Sequence, residues 1–273
     1  MPDPALLDAL RARLRDLGSV VVAFSGGADS AFLAWVAHDT LEADALAVTA
    51  VSPSLPGAER VECAALTASW GMAWMEVVTD ELDNPDYARN DSDRCYWCKD
   101  ALMAATGPVA VARRATVVLG VNLDDLDDHR PGQRAATERG AAFPLVDAGF
   151  TKADVRAWSK ELGLVTWDKP AAACLASRLP YGTPVTLGRL SSVERAEAAL
   201  RTLGFTELRV RHHGEIARIE VPTDALGRVV EQQAAVVQAV RAAGYRWVTV
   251  DLAGLRSGGF NQRLAPPRST SGT

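Results

Sequence analysis

Cysteine is scarce in this chain, with four in 273 residues. That excludes a disulfide-stapled scaffold and points any spaced cysteines toward metal binding or catalysis. Long apolar runs are also missing. Runs such as 20–24 and 117–121 have strand length and are far too short to span a bilayer. The opening Met-Pro-Asp-Pro has neither the basic start nor the apolar core of a signal peptide. A cytoplasmic protein without a membrane partner is expected. Nor is positive charge in excess: 29 Lys and Arg face 34 Asp and Glu, for a net charge of −5. This argues against a nucleic-acid partner, which needs many clustered cations. It leaves room for a small anionic substrate held by two or three arginines. No internal repeat is found. What remains is 48% hydrophobic and 23% charged, an ordinary globular composition with a proper core.

Residues 4–17 read as a helix. Asp3 is placed to cap it, Pro4 takes the first helical position and Gly18 follows its end. Leu6, Leu7, Leu10, Leu14 and Leu17 share one face, and Arg11, Arg13 and Arg15 form a solvated one. Strands are expected at 20–24, 45–51, 72–78 and 117–121, with helices at 30–39, 56–70 and 97–105 between them. The fold class is therefore α/β, a parallel sheet with helices on both faces. A polar stretch, 80–94, interrupts the alternation, and loops of that length tend to be functional or disordered. Thr151 caps a helix running to about residue 162. A second irregular stretch, 170–185, holds three prolines. After it come a helix at 187–203, strands at 207–212 and 215–221, a helical region at 223–243 and a strand at 246–252, a smaller α+β domain. The expected division is 1–170 for the α/β domain and 171–186 for a cysteine-containing linker. Residues 187–262 then form a small domain for substrate binding or oligomerisation, and 263–273 a disordered tail rich in Pro, Ser and Thr.

The sharpest local signal is Ser25-Gly26-Gly27-Ala28-Asp29-Ser30, set between an apolar strand and a helix start. Two glycines let the backbone turn tightly and expose bare N–H groups. Those donors and the positive end of the helix dipole make an anion site, with hydroxyls added by Ser25 and Ser30. Asp29 is out of place beside phosphate unless it meets magnesium. No lysine stands in the loop, so it is not a Walker A motif. It resembles the pyrophosphate loop (PP-loop) of the N-type ATP pyrophosphatases. They split ATP between its α- and β-phosphates and adenylylate an acceptor oxygen.

The strand at 117–121 runs into Asn122-Leu123-Asp124-Asp125-Leu126-Asp127-Asp128-His129-Arg130. Four acids at the carboxyl end of a parallel strand could hold magnesium, or could be a solvated turn capping the next helix. Arg94-Cys95-Tyr96-Trp97-Cys98-Lys99 supplies a C-x-x-C pair, and Cys174 stands apart in Ala173-Cys174-Leu175-Ala176-Ser177-Arg178. Cys174 could act alone as nucleophile and sulfur source. Alternatively Cys95, Cys98 and Cys174 could together hold a 4Fe–4S cluster with one iron open. The pair could also be small buried hydrophobes. Cys63, inside an amphipathic helix, reads as core. Arg209 and Arg211, two apart on a strand, share a face and could clamp a phosphate, or be surface charge. Arg178 could lower the Cys174 pKa or hold a phosphate. Trp97 could stack on a planar ring or sit half-buried in the core.

Taken together, these motifs resemble the LarE family, ATP-dependent sulfur transferases that help build the nickel-pincer nucleotide cofactor of lactate racemase. The likeness runs from Val20 to about Asn261. It rests on the phosphate loop, Arg94-Cys95-Tyr96-x-Cys98-Lys99, Gly120-x-Asn122-x-Asp124-Asp125, Arg130-Pro131-Gly132, Pro144-Leu145, the Ala-Cys-Leu-Ala-Ser-Arg block and Arg209-Val210-Arg211-x-His213. The resemblance implies that ATP and Mg2+ act with Ser25, Gly26, Gly27, Asp29, Ser30, Asn122 and Asp125. It implies pyridinium-3,5-biscarboxylic acid mononucleotide as substrate, contacted by Trp97, Ser177, Arg178, Arg209 and Arg211. Sulfur would come from Cys174, leaving dehydroalanine, or from a sulfide on a cluster. A metal or substrate role for Glu197 and Glu220, a homo-oligomer (a hexamer) and a downstream nickel-insertion protein are likewise implied. Two other readings stand beside this one. A tRNA thiolation enzyme or another PP-loop synthetase would need a larger basic surface or a glutaminase domain. A non-catalytic adenine-nucleotide sensor would need neither Cys174 nor the cysteine pair.

Overall fold

Short, continuously apolar strands bury themselves on both faces only if helices cover both, and the computed structural model has that arrangement. It describes residues 2–126, 131–170 and 174–256. Asp127, Asp128, His129 and Arg130 of the acidic turn, Ala173 of the cysteine block, Asn261 and the tail lie outside the described residues. Contacts divide the chain into two compact units: Met1–Tyr87 with Asp93–Ala173, and Ala88–Ser92 with Cys174–Thr273. Among the described residues no helix is long and apolar enough to cross a membrane.

In the first unit the strands β1 (Val20–Ala23), β2 (Ala45–Val51), β3 (Trp74–Val78) and β4 (Thr116–Val118) form a parallel sheet in the order β3-β2-β1-β4. The helices are α1 (Pro4–Leu17), α2 (Ala28–Leu41), α3 (Gly57–Trp70), α4 (Pro85–Ala88), α5 (Arg94–Arg113), α6 (Pro131–Glu138), α7 (Pro144–Asp147) and α8 (Lys152–Glu161). Successive strand side chains point to opposite faces. Val20 and Val22 therefore join one layer with Leu10 and Leu14 of α1, Phe32 of α2, Leu66 of α3 and Val155 of α8. Val21, with Leu46 and Val48 of β2, joins the other, against Met103 and Ala110 of α5 and Ala136 of α6. Each fully buried aliphatic side chain contributes about 1.5–3 kcal/mol. Asp3 caps α1 by accepting from the Ala5 N–H at 3.0 Å.

Two expectations shift. The helix expected at 97–105 is α5, twenty residues long, and it runs through Gly107 and Pro108. Leu102, Met103, Thr106 and Ala110 keep one buried stripe across that dipeptide, so packing overrides its breaking propensity. The strand expected to reach residue 121 ends at Val118. From there the chain leaves β1, and the Leu119 N–H donates to the Ala142 carbonyl at 3.1 Å.

The second unit holds β5 (Arg209–His213), β6 (Ile216–Glu220) and β7 (Trp247–Val250), with α9 (Leu187–Thr202), α10 (Leu226–Glu231) and α11 (Gln233–Ala242). β5 and β6 are antiparallel, and β7 pairs with β6 in parallel. Leu200, Phe205, Val210, Ala217, Ile219, Val236 and Val240 make its core. The helical region expected at 223–243 breaks at Gln232 (φ −96°, ψ 17°), without a proline or glycine to mark it. Part of the polar 80–94 stretch belongs to this unit. Buried Asn90 donates to the carbonyls of Pro180 at 2.8 Å and Thr183 at 2.9 Å, and its own carbonyl accepts from Gly182.

Candidate functional site

The sheet order places a topological switch between β1 and β4, the position where open α/β folds hold ligands at the carboxyl ends of their strands. The predicted phosphate loop lies there. Gly26 takes φ +70°, and Gly27 caps α2. The N–H groups of Gly27, Ala28 and Asp29 have no acceptor among the described residues. Ser30 Oγ folds back onto the loop, accepting from the Ser25 N–H at 3.3 Å and donating to the Gly27 carbonyl at 3.1 Å; the two serine hydroxyls lie 3.1 Å apart. Gly120, beyond β4, allows the close approach. A Cβ there would lie 2.8 Å from Ser30 N and 2.9 Å from the Asp29 carbonyl carbon.

Asn122, also predicted from sequence, is fully buried and reaches the loop: Nδ2 donates to Asp29 Oδ1 at 3.2 Å. Its Oδ1 is buried without a partner among the described residues. Asp125 accepts from the Asn122 N–H at 3.2 Å and so braces this turn. Asp124, exposed, accepts from the Lys152 N–H at the start of α8 at 2.6 Å. The Lys152 ammonium pairs with Asp29 Oδ2.

Cys95 and Cys98 fall in the first turn of α5, Cys95 exposed and Cys98 half-buried. Trp97 is half-buried beside them. Its ring meets Tyr96 edge-on with centroids 5.0 Å apart, and Nε1 donates to Asp93 at 3.2 Å. Gly132 packs on this turn; a Cβ on it would meet the Cys95 carbonyl oxygen at 3.0 Å. Cys63 is wholly buried, and desolvation pushes its thiol up to about 11, so it is the core residue expected.

In the second unit Cys174 precedes a 3-10 turn, Leu175–Arg178, that brings the remaining candidates together. Buried Arg178 donates to Glu197 through Nε at 2.8 Å and Nη2 at 3.2 Å, and through Nη1 to the Cys174 carbonyl at 3.3 Å and Ser177 Oγ at 3.0 Å. Glu197, fully buried on α9, also accepts from Arg201 at 3.1 Å and from the Val210 N–H at 3.1 Å. Arg209 and Arg211 do share one face of β5. Arg211 is 4% exposed, donates to Glu220 at 3.0 Å and reaches the Ser177 carbonyl at 2.9 Å. Glu220 takes a second arginine, Arg218, at 3.0 Å. Each glutamate is thus an ion-pair partner of two arginines here. Burial, and then the nearby Arg178 and Arg211, hold Arg209 below its ordinary pKa. Arg178, Arg201, Arg209, Arg211 and Arg218 face Glu197, Glu220 and Asp251. The surplus of positive charge suits an anion. Among the described residues no three His, Cys, Asp or Glu side chains gather as a metal-binding group.

Sequence reasoning missed two lysines at the phosphate loop. Lys152 carries a weak signal, as the first residue of a capped helix. Lys169 carries none. Its Nζ lies 3.2 Å from the Gly26 carbonyl, 2.8 Å from Glu59 and 2.7 Å from Glu62. Burial lowers its pKa, but the two carboxylates outweigh that and hold it above an ordinary lysine.

No family model matches the chain. It is 44% identical over 262 residues to an uncharacterized protein of Synechocystis, covering 94% of this chain and 97% of that one. It is 25% identical over 239 residues to an uncharacterized protein of Methanocaldococcus jannaschii. A named relative is the pyridinium-3,5-bisthiocarboxylic acid mononucleotide synthase of Lactiplantibacillus plantarum, 38% identical over 257 residues that cover 93% of each protein. Identity at that level along both units leaves one assignment: the chain belongs to the family of that synthase, the LarE family.

Proposed function

We propose that this protein is an ATP-dependent sulfurtransferase that turns a carboxylate of pyridinium-3,5-biscarboxylic acid mononucleotide into a thiocarboxylate, releasing AMP and pyrophosphate. One observation carries the reading. A strand-loop-helix turn whose Gly27, Ala28 and Asp29 N–H groups have no acceptor among the described residues stands in a chain 38% identical to a synthase of the bisthiocarboxylic product. Those donors and the α2 dipole favour the negative charge that grows on pyrophosphate as it leaves. Mg2+ takes oxygen donors and one or two carboxylates beside phosphates. Asp29 and the orphan Asn122 Oδ1 are donors of that kind. When bound, the ion would neutralise phosphate charge.

The chemistry follows from a poor leaving group. A carboxylate oxygen does not depart from carbon, so it first attacks the α-phosphorus of ATP. The bond to the β-phosphate breaks, and an acyl adenylate forms. The Cys174 thiolate then adds to the acyl carbon and AMP leaves. Loss of the Cys174 Cα proton breaks its Cβ–S bond, freeing the thiocarboxylate and leaving dehydroalanine. In this reading Arg178 fixes the Cys174 backbone, and the surplus guanidinium charge at Arg209 and Arg211 holds the mononucleotide phosphate. Pyrophosphate release measured with ATP, Mg2+ and the mononucleotide tests it. Release should require the mononucleotide and fall at least a hundredfold in Asp29→Ala. Release by Asp29→Ala at the wild-type rate would overturn the assignment of the loop.

A further inference from the structure

We infer that Lys169 is a positioning residue for the phosphate loop, fixing the Gly26–Gly27 peptide so that its N–H faces the leaving pyrophosphate. The inference rests on the phosphate-loop reading and deepens it.

A trans peptide is planar, so its carbonyl and N–H point in opposite directions. Lys169 Nζ holds the Gly26 carbonyl at 3.2 Å; the Gly27 N–H of the same peptide is thereby turned the other way. It has no acceptor among the described residues. An ammonium has three donors, and here each has a partner: Gly26, Glu59 at 2.8 Å and Glu62 at 2.7 Å. The glutamates stand three apart on α3 and so share a face. The lysine side chain is only 15% exposed. On the same side the loop rests on Cys63: a Cβ at Gly26 would lie 3.0 Å from its Sγ and 3.8 Å from Lys169 Nζ.

Charge supplies a second reason. Glu59 and Glu62 place two carboxylates behind a loop built for an anion, and Lys169 is the cation between them and that loop. Removing it would turn the peptide free and set two negative charges against the phosphates. The loop itself contains no lysine. The chain therefore supplies this ammonium from a residue more than a hundred positions away, and as a brace rather than a finger.

The test is calorimetric titration of ATP, pyrophosphate and the mononucleotide into full-length wild type, Lys169→Met, Lys169→Arg and the triple variant Lys169→Met/Glu59→Gln/Glu62→Gln, with steady-state kinetics beside it. Lys169→Met should weaken ATP and pyrophosphate at least tenfold and raise KM for ATP more than it lowers kcat. Mononucleotide affinity should not move, and Lys169→Arg should recover most of the loss. The triple variant removes the stranded charges, so it decides the matter if Lys169→Met fails to fold; it should remain at least threefold weaker for pyrophosphate. Wild-type pyrophosphate affinity in Lys169→Met or in the triple variant would overturn the inference while leaving the loop assignment intact. Failure of the wild type to bind ATP or pyrophosphate would instead remove the loop assignment, and the inference with it.

Discussion

At the scale of single residues the phosphate loop depends on atoms that are not there. Gly120 has no Cβ, and one would meet Ser30 N at 2.8 Å and the Asp29 carbonyl carbon at 2.9 Å. Both contacts are with backbone, so no side chain can swing aside. Gly120→Ala should push the end of β4 away from the start of α2, costing about 1–3 kcal/mol in urea denaturation. ATP affinity should fall more steeply than stability, because Asn122 and its bond to Asp29 move with the strand. Unchanged ATP binding would mean that the β4 end can shift without disturbing the loop. The strand-loop-helix turn at Ser25 to Ser30 was legible in sequence because the signal is contiguous: apolar strand, two glycines, helix. Lys152 and Lys169 were not, because a lysine that reaches its partner through space leaves no spacing to read. Asn122 was legible only through the motif it shares with a known family. Its burial and orphan oxygen are properties of the fold.

Elements show the same limit from another side. The i, i+2 spacing of Arg209 and Arg211 revealed their common strand face, but not that Glu220 waits on β6 opposite. Glu197 reads in sequence as an ordinary helix acid. The fold buries it completely and gives it Arg178, Arg201 and the Val210 N–H. Conversely the helix expected at 97–105 continues through Gly107 and Pro108, because the buried stripe of α5 continues. The Glu197 pairs yield a prediction about how α9, the Cys174 turn and β5 hold together. Glu197→Gln leaves Arg178 buried without its carboxylate, and breaking a buried pair costs about 3–5 kcal/mol. Glu215→Gln, which removes a pair to Arg246 at 3.7 Å with both side chains about two-thirds exposed, should change little. Urea denaturation of both variants checks the contrast. Equal stability of the two would mean that the Arg178–Glu197 pair contributes no more than a surface contact.

On the scale of the whole molecule, alternating strands and helices announced the α/β sheet, and the later α-β-β-α-β run announced the small mixed one. The pattern could not assign Ala88–Ser92 to the second unit, since that follows from the hydrogen bonds of Asn90 across ninety residues of chain. The two units divide the candidate chemistry: the phosphate loop is in one and Cys174 in the other. The last prediction uses that division. Cys174→Ala should still release pyrophosphate, because the loop is intact, and should form no thiocarboxylate. Intact mass after turnover then identifies the sulfur. If Cys174 is consumed, the wild type makes one turnover, loses the mass of hydrogen sulfide and tolerates Cys95→Ala. If Cys95 and Cys98 join Cys174 on a cluster, anaerobic protein is brown, keeps its mass through turnover, and is bleached and inactivated by Cys95→Ala or Cys98→Ala. Cys95 and Cys98 lie one helical turn apart at the start of α5, and both proposed routes draw on Cys174. Full sulfur transfer by Cys174→Ala would remove the two together.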